Sequence, residues 1–470
     1  MAWRSMRVGT AAVAGVLLAG AVAVPAHANT PVGCSDLALI QAINDSNGGL
    51  NDHILDLTPY CVYTLTDADG TLPTITQALM IHGHNATIRR DPNAANAFRI
   101  FEVGGTSLTM DTLTVMNGSD AGGGGVFLNT SGGSLITTDV NFQGNHSSLE
   151  GGAIDSTDTA VGNTISLTGG TVSDNSADQE GGGIEGRSDV AVTLTSVTLT
   201  RNRAEVRGGA VSMDSSTGPL NITGSTISHN TARRYGGGIS HFGNTGGGSA
   251  TISGSTISDN RVIQSTAGGG GIGVYESALS VPVTITGSTI SGNLVTGFIV
   301  VNDIDNAGGG IQQQGGSLTL DSTNVTGNRL VGQGGHGGGI VVTGDIAPSL
   351  LTLQNNTNVT GNLASGRYAQ GGGLFFHGIS NILSVVINGS HVDGNKVTGT
   401  GSSVGGVYNV DAAVSFNGST VNNNIAPSAP APGGVSTVTV PITSVTSTVI
   451  TGNTPTNCLL SPQPVTGCVG

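Results

Sequence analysis

The chain has 470 residues, with 29 acidic against 15 basic side chains and a formal charge of -14. That balance argues against nucleic acid and anionic membrane as partners. Glycine reaches 78 residues without a strict triplet period, which excludes collagen, and Trp3 is the only indole, so a dedicated sugar-stacking module is not expected.

Residues 1–28 read as a secretory signal peptide. Arg4 and Arg7 form a basic start, Val8 to Val24 is apolar, and Ala26-His27-Ala28 is a small-x-small cleavage site. Removing the two arginines leaves 13 basic against 29 acidic residues, or -16. No later run approaches the ~20 apolar residues of a membrane span. The mature chain is therefore expected to be secreted or envelope-associated, with no membrane span.

Residues 29–105 are expected to hold an N-terminal cap and the first coils of a solenoid. Asp36 to Asn44 is an amphipathic helix candidate that would cover the open end. Leu79-Met-Ile and Ala86-Thr-Ile read as the first coil strands. Export permits disulfides. Of the three pairings open to four Cys, Cys34 with Cys61 and Cys458 with Cys468 are the most economical, each stapling one end. No CxxC spacing suggests a metal at these positions.

Residues 106–457 carry the repeat. A Gly-Gly-Gly-Ile phrase ends at Val126, Ile154, Ile184, Val211, Ile239, Ile272, Ile311, Ile340 and Leu374, and in shorter form at Val407 and Val435. Between the phrases runs an Asn series from Asn145 and Asn175 to Asn453, at gaps of 27 to 35 residues. Three copies align almost letter for letter, from Asn221 to Asn230, Thr251 to Asn260 and Thr284 to Asn293. Each holds two short period-2 runs split by Gly-Ser, with Val, Ile and Leu on one side and Thr and Ser on the other. Such strands cannot bury a core alone, so successive repeats must stack. The expected fold is an all-β, single-stranded, right-handed parallel β-helix of about eleven coils or more. Asn is expected to supply left-handed turn conformations and to bond its neighbours along the rod. The glycines are expected to supply positive φ at a sharp corner. Residues 458–470 read as a disulfide-closed plug.

Phe142-Gln-Gly-Asn145 followed by Gly151-Gly-Ala-Ile154 resembles the repeats of polymorphic outer membrane proteins. The stretch from Asp36 to Gly118, with Ala42-Ile43-Asn44, Leu72-Pro73, Ile81-His-Gly83 and Leu113 to Gly118, resembles the N-terminal segment of secreted β-helix proteins of the pectin-lyase-like group. The resemblance covers nearly the whole mature chain and implies the coil. It also admits polysaccharide lyases and hydrolases, so catalysis has to be weighed on residues. Gly335-His336-Gly337 matches one element of polygalacturonase-type sites, but no Asp-Asp pair accompanies it and it reads as a turn.

Two surface candidates remain. The first is an Arg cluster containing Arg187, Arg203, Arg207, Arg233 and Arg234, with Glu185 and Asp214 beside it. Arg forks suit carboxylates or sulfates. The second is a stripe of outward residues after the glycine corners, including Glu185, Arg187, Asp214, Phe242 and Tyr275, along which a polymer could stack. No cofactor is expected. Calcium has only a weak candidate, Asp303 and Asp305 beside Asn302 and Asn306. A Thr array matched to ice is set aside, because coils of 27 to 35 residues would disrupt a lattice. The expected role is a non-catalytic surface for polysaccharide or partner binding, with a lyase or hydrolase of acidic glycans as the alternative.

Overall fold

The computed structural model describes residues 29–469, apart from short segments at 158, 160, 215–216, 244–246, 264–267, 277–281, 298–306, 345–346, 379–381 and 428–431. The predicted signal peptide lies outside the described residues, as do Asn302, Asp303, Asp305 and Asn306.

Each coil contributes strands to three parallel sheets. One sheet has 27 strands and takes both period-2 runs of a coil, such as Leu220–Thr223 and Thr226–Ser228. A second, of 10 strands, holds the short pieces after each Asn, such as Arg203–Ala204. The third, of 12 strands, holds the strands started by the glycine phrase, such as Val211–Asp214. Partner strands come from successive coils and run parallel, residue against equivalent residue: Val211 pairs with Ile239, and Ile222 with Ile252. The chain is a parallel β-helix of about twelve coils, one for each strand of the third sheet. Right-handed winding is the sense that twisted strands favour.

The alternation of the sequence places the core. Ile184, Val211, Ile239, Ile272, Ile311 and Ile340 stack in one column at 1% exposure or less, within one continuous apolar cluster. The helix Asp36–Asn47 starts at Ser35, whose side chain accepts from the Ala38 N–H at 3.2 Å. It buries Leu39, Ala42 and Ile43 and packs against strands Thr30–Val32 and Val62–Leu65. Strands begin earlier than expected. Thr30–Val32 pairs with Ile54–Leu57, which pairs with the single long strand Leu79–Arg90. The cue missed was the apolar alternation in Ile54 to Leu57, too short to stand out without a glycine corner. Both expected disulfides are present, Cys34–Cys61 and Cys458–Cys468. No helix among the described residues is long and apolar enough to cross a membrane.

Three expectations are corrected by the coil geometry. The ladder Asn residues are not the left-handed ones. The residue before each is, with φ of 57° at Asp174, 55° at Arg201, 58° at His229 and 55° at Asp259. The extra backbone freedom is needed one step before the Asn turns inward. Nor does positive φ explain the whole glycine phrase. Only the first glycine adopts it, at 59° for Gly181 and 61° for Gly208. At the second position a Cβ would strike the next coil: at Gly182 it would collide with the Gly209 carbonyl, and at Gly209 with the Gly237 carbonyl. Finally, the variation in coil length does not reach the widest sheet between residues 194 and 293, and one extra residue enters it at Asn355–Asn356. From Leu194 to Asn202, Ile222 to Asn230, Ile252 to Asn260 and Ile285 to Asn293 the count is eight residues each time. The insertions fall in loops on either side of the glycine-started strands.

Candidate functional site

The glycine-started strands carry the densest chemistry. Their outward positions stack as expected: Arg187, Asp214, Phe242, Tyr275 and Gln314 form one ladder. The expectation that this ladder offers an open surface is corrected. Glu185 is 0% exposed and Tyr275 only 6%. The cover comes from the residue just before each glycine phrase. Glu180, Arg207 and Tyr235 form their own ladder of bridges. The tight turn at the first glycine folds their side chains back over the strand. A Cβ on Gly181 would lie 2.7 Å from Glu185 Oε2, so the turn is closed against the carboxyl.

This cover creates a cluster of ionisable groups. Arg187 reaches Glu150 with Nη2–Oε1 at 2.7 Å and lies 3.7 Å from Glu185 and 3.9 Å from Glu180. The Arg207 Nε donates to Glu180 Oε1 at 2.8 Å, and its Nη1 is 3.4 Å from Asp214. The same guanidinium lies 4.5 Å above the Phe242 ring, a cation–π contact. Burial pushes the Glu185 carboxyl well above its ordinary pKa, and the neighbouring Glu180 adds to this. Glu180 is also pushed up, chiefly by burial, with Arg207 opposing. Neither oxygen of Glu185 has a hydrogen-bond partner. Desolvation outweighs the cations at both carboxyls.

Beyond the charges the stripe is aromatic. Tyr235 packs edge-on to Tyr275 at 5.0 Å between centroids, and Phe242 lies 5.8 Å from Tyr275. The Tyr275 hydroxyl donates to Gln312, and burial holds its phenol well above the ordinary range. Further along, His336 stacks on Phe375 at 4.3 Å, and burial lowers its pKa to about 4. A buried pair joins His241 Nδ1 to Glu276 Oε1 at 2.6 Å inside the coil.

The structure thus brings together Glu185, Arg187, Arg207, Asp214, Phe242 and Tyr275. It separates them from Arg203, Arg233 and Arg234, which are exposed on the neighbouring sheet and its turn. Arg203 pairs with Glu205, its Nε donating at 2.9 Å. The residues that sequence reasoning missed are Glu150, Tyr235 and Asp155, whose charge also raises the Glu185 carboxyl. Glu150 and Tyr235 had a signal, since each sits immediately before a glycine phrase, as Glu180 and Arg207 do. Among the described residues no group of three or more His, Cys, Asp or Glu is arranged to hold a metal ion.

No family model matches the chain, and no curated protein matches it. A solved structure that resembles it is the mannuronan C-5 epimerase AlgE6 A-module of Azotobacter vinelandii. The identity is 13%, the TM-score 0.33, and the match covers 90% of this chain and 97% of that one. At that level the likeness carries no weight for function.

Proposed function

We propose that this chain is an exported or envelope-associated, non-catalytic β-helix protein that presents an extended surface to a polysaccharide or another surface protein. The observation that carries this reading is the engagement of Arg187 and Arg207. Both guanidinium groups are held by carboxylates of neighbouring coils, so the charge that would grip an acidic substrate at the centre of the site is neutralised internally. Contact with a partner falls instead to the exposed rim, where Arg203, itself paired with Glu205, and Arg233 and Arg234 face solvent on successive coils. The two disulfides fit an oxidising compartment. The test is binding to a glycan array and to isolated cell-envelope fractions, with and without Arg233→Ala and Arg234→Ala. Retention that falls at least tenfold in the double variant supports the reading. Silence on every glycan and fraction removes it.

A second reading is favoured by Glu180 and Glu185, whose raised carboxyls suit a general acid. It makes the protein a lyase or hydrolase of acidic glycans. Incubation with acidic polysaccharides would then release unsaturated uronates or new reducing ends, diminished by Glu180→Gln. No product from any of them rejects it.

A further inference from the structure

The widest sheet presents a second surface, away from the Arg and aromatic cluster. On it Thr171, Thr198, Thr226, Thr256 and Thr289 stand opposite one another in five successive coils. Two residues further along the same strands, Thr200, Ser228, Ser258 and Ser291 form a parallel row, which ends at the buried Ser173. The preceding strands add Thr195, Thr223, Ser253 and Thr286 in register. We propose that this face binds ice.

Three features argue for an ordered lattice of water as the occupant. The first is spacing. Hydroxyls recur every ~4.8 Å along the rod and every two residues, ~6.6 Å, along each strand. The constant eight-residue count through these strands keeps that grid unbroken, because coil-length differences lie in other loops.

The second is rigidity. Thr is stiff at χ1, so its hydroxyl holds a defined direction. Flat, registered sheets need a side-chain ladder to resist twisting, and the buried Asn series at the corner where these strands end supplies one. The Asn230 Nδ2 donates to Asn260 Oδ1 at 2.9 Å, and Asn260 to Asn293 at 3.0 Å.

The third is charge. The chain carries -14 overall, yet these rows hold only Ser and Thr, with the charged Asp174, Arg201, His229 and Asp259 set just beyond the second row at the edge of the face. An uncharged face of hydroxyls and methyls complements an uncharged lattice, in which each hydroxyl can both donate and accept.

The proposal is independent of the glycan reading, which concerns a different face and can fail alone. The test is partition of fluorescently labelled protein into slowly grown polycrystalline ice, beside recrystallisation inhibition. The wild type is expected to enrich in ice. Thr226→Tyr with Thr256→Tyr is expected to fall to the level of an inert labelled protein, with its β-sheet circular dichroism unchanged. Lys396→Tyr, on the short sheet, is expected to behave as wild type. If the Tyr variant loses its β signature, Thr226→Lys carries the test, since its long side chain can leave the sheet surface. Exclusion of the wild type from ice overturns the proposal. So does enrichment of a folded Thr226 variant at the wild-type level.

Discussion

Single residues in this molecule act through what the next coil places against them. The second and third glycines of the phrase both face a carbonyl one coil away, but a Cβ would come closer to it at Gly209 than the 2.7 Å at Gly183, and the third position holds Ala natively at Ala153 and Ala210. Gly209→Ala is therefore expected to cost roughly 2–3 kcal/mol and Gly183→Ala less than about 1 kcal/mol, by denaturant midpoint. The buried ionisable groups set opposite pH dependences. Glu185 has its pKa raised by burial, so its contribution is intact below the ordinary carboxylate value and is lost as pH rises through the folded value. Glu185→Gln should then become progressively more stable than wild type as pH rises above about 4.5. A variant whose advantage is flat with pH would contradict this. His336 is the reverse case, lowered to about 4 from 6.5 by burial. Its neutral ring is favoured in the fold, so stability falls as pH drops from 6.5 toward 4, by about 3.5 kcal/mol at most at ~1.4 kcal/mol per tenfold. His336→Phe, which keeps the stack on Phe375, should flatten that acid loss in pH-dependent melting.

At the scale of elements, strands are short and gain their stability from the ladders behind them. Asn202 shows the unit: its backbone N–H and its Nδ2 both donate to Asn230 Oδ1 at 2.9 Å, and Nδ2 also reaches the Val172 carbonyl at 2.8 Å. Asn230→Ala removes one acceptor from Asn202 and two donors, leaving buried groups unsatisfied at ~1–3 kcal/mol each. Hydrogen exchange should quicken at Asn202, Asn230 and the flanking strands, with a total cost of about 3 kcal/mol or more. Unchanged protection there would deny the ladder an energetic role. The ladder itself was legible from the spacing of Asn in the sequence. Its turn conformation was not, because the left-handed residue is whichever one precedes the Asn, whether Gly144, Asp174, Arg201 or His229.

For the whole molecule, each coil touches mainly its neighbours, so disturbance should stay local. Opening the Cys34–Cys61 link, which closes a 27-residue separation, is expected to cost roughly 3–4 kcal/mol on the chain-entropy model. In Cys34→Ser/Cys61→Ser, exchange should speed at residues 30–65 and remain as in wild type beyond Asn175. Global unfolding of the variant would refute the local picture. The sequence by itself determined the coil, because a repeated alternation of Ile and Val with Thr and Ser allows only one side to be buried, and stacking follows from that. It favoured the local disulfide partners among three possible pairings, and it set the register of the stripe that stacks Arg187, Asp214, Phe242 and Tyr275. Only the tertiary structure decided which of these see solvent. Glu180, Arg207 and Tyr235 lie over that stripe because a closed turn brings distant atoms together. Only the structure, too, placed the coil-length variation away from the threonine rows. Sequence spacing counts residues around the coil without saying which face the extra ones leave undisturbed.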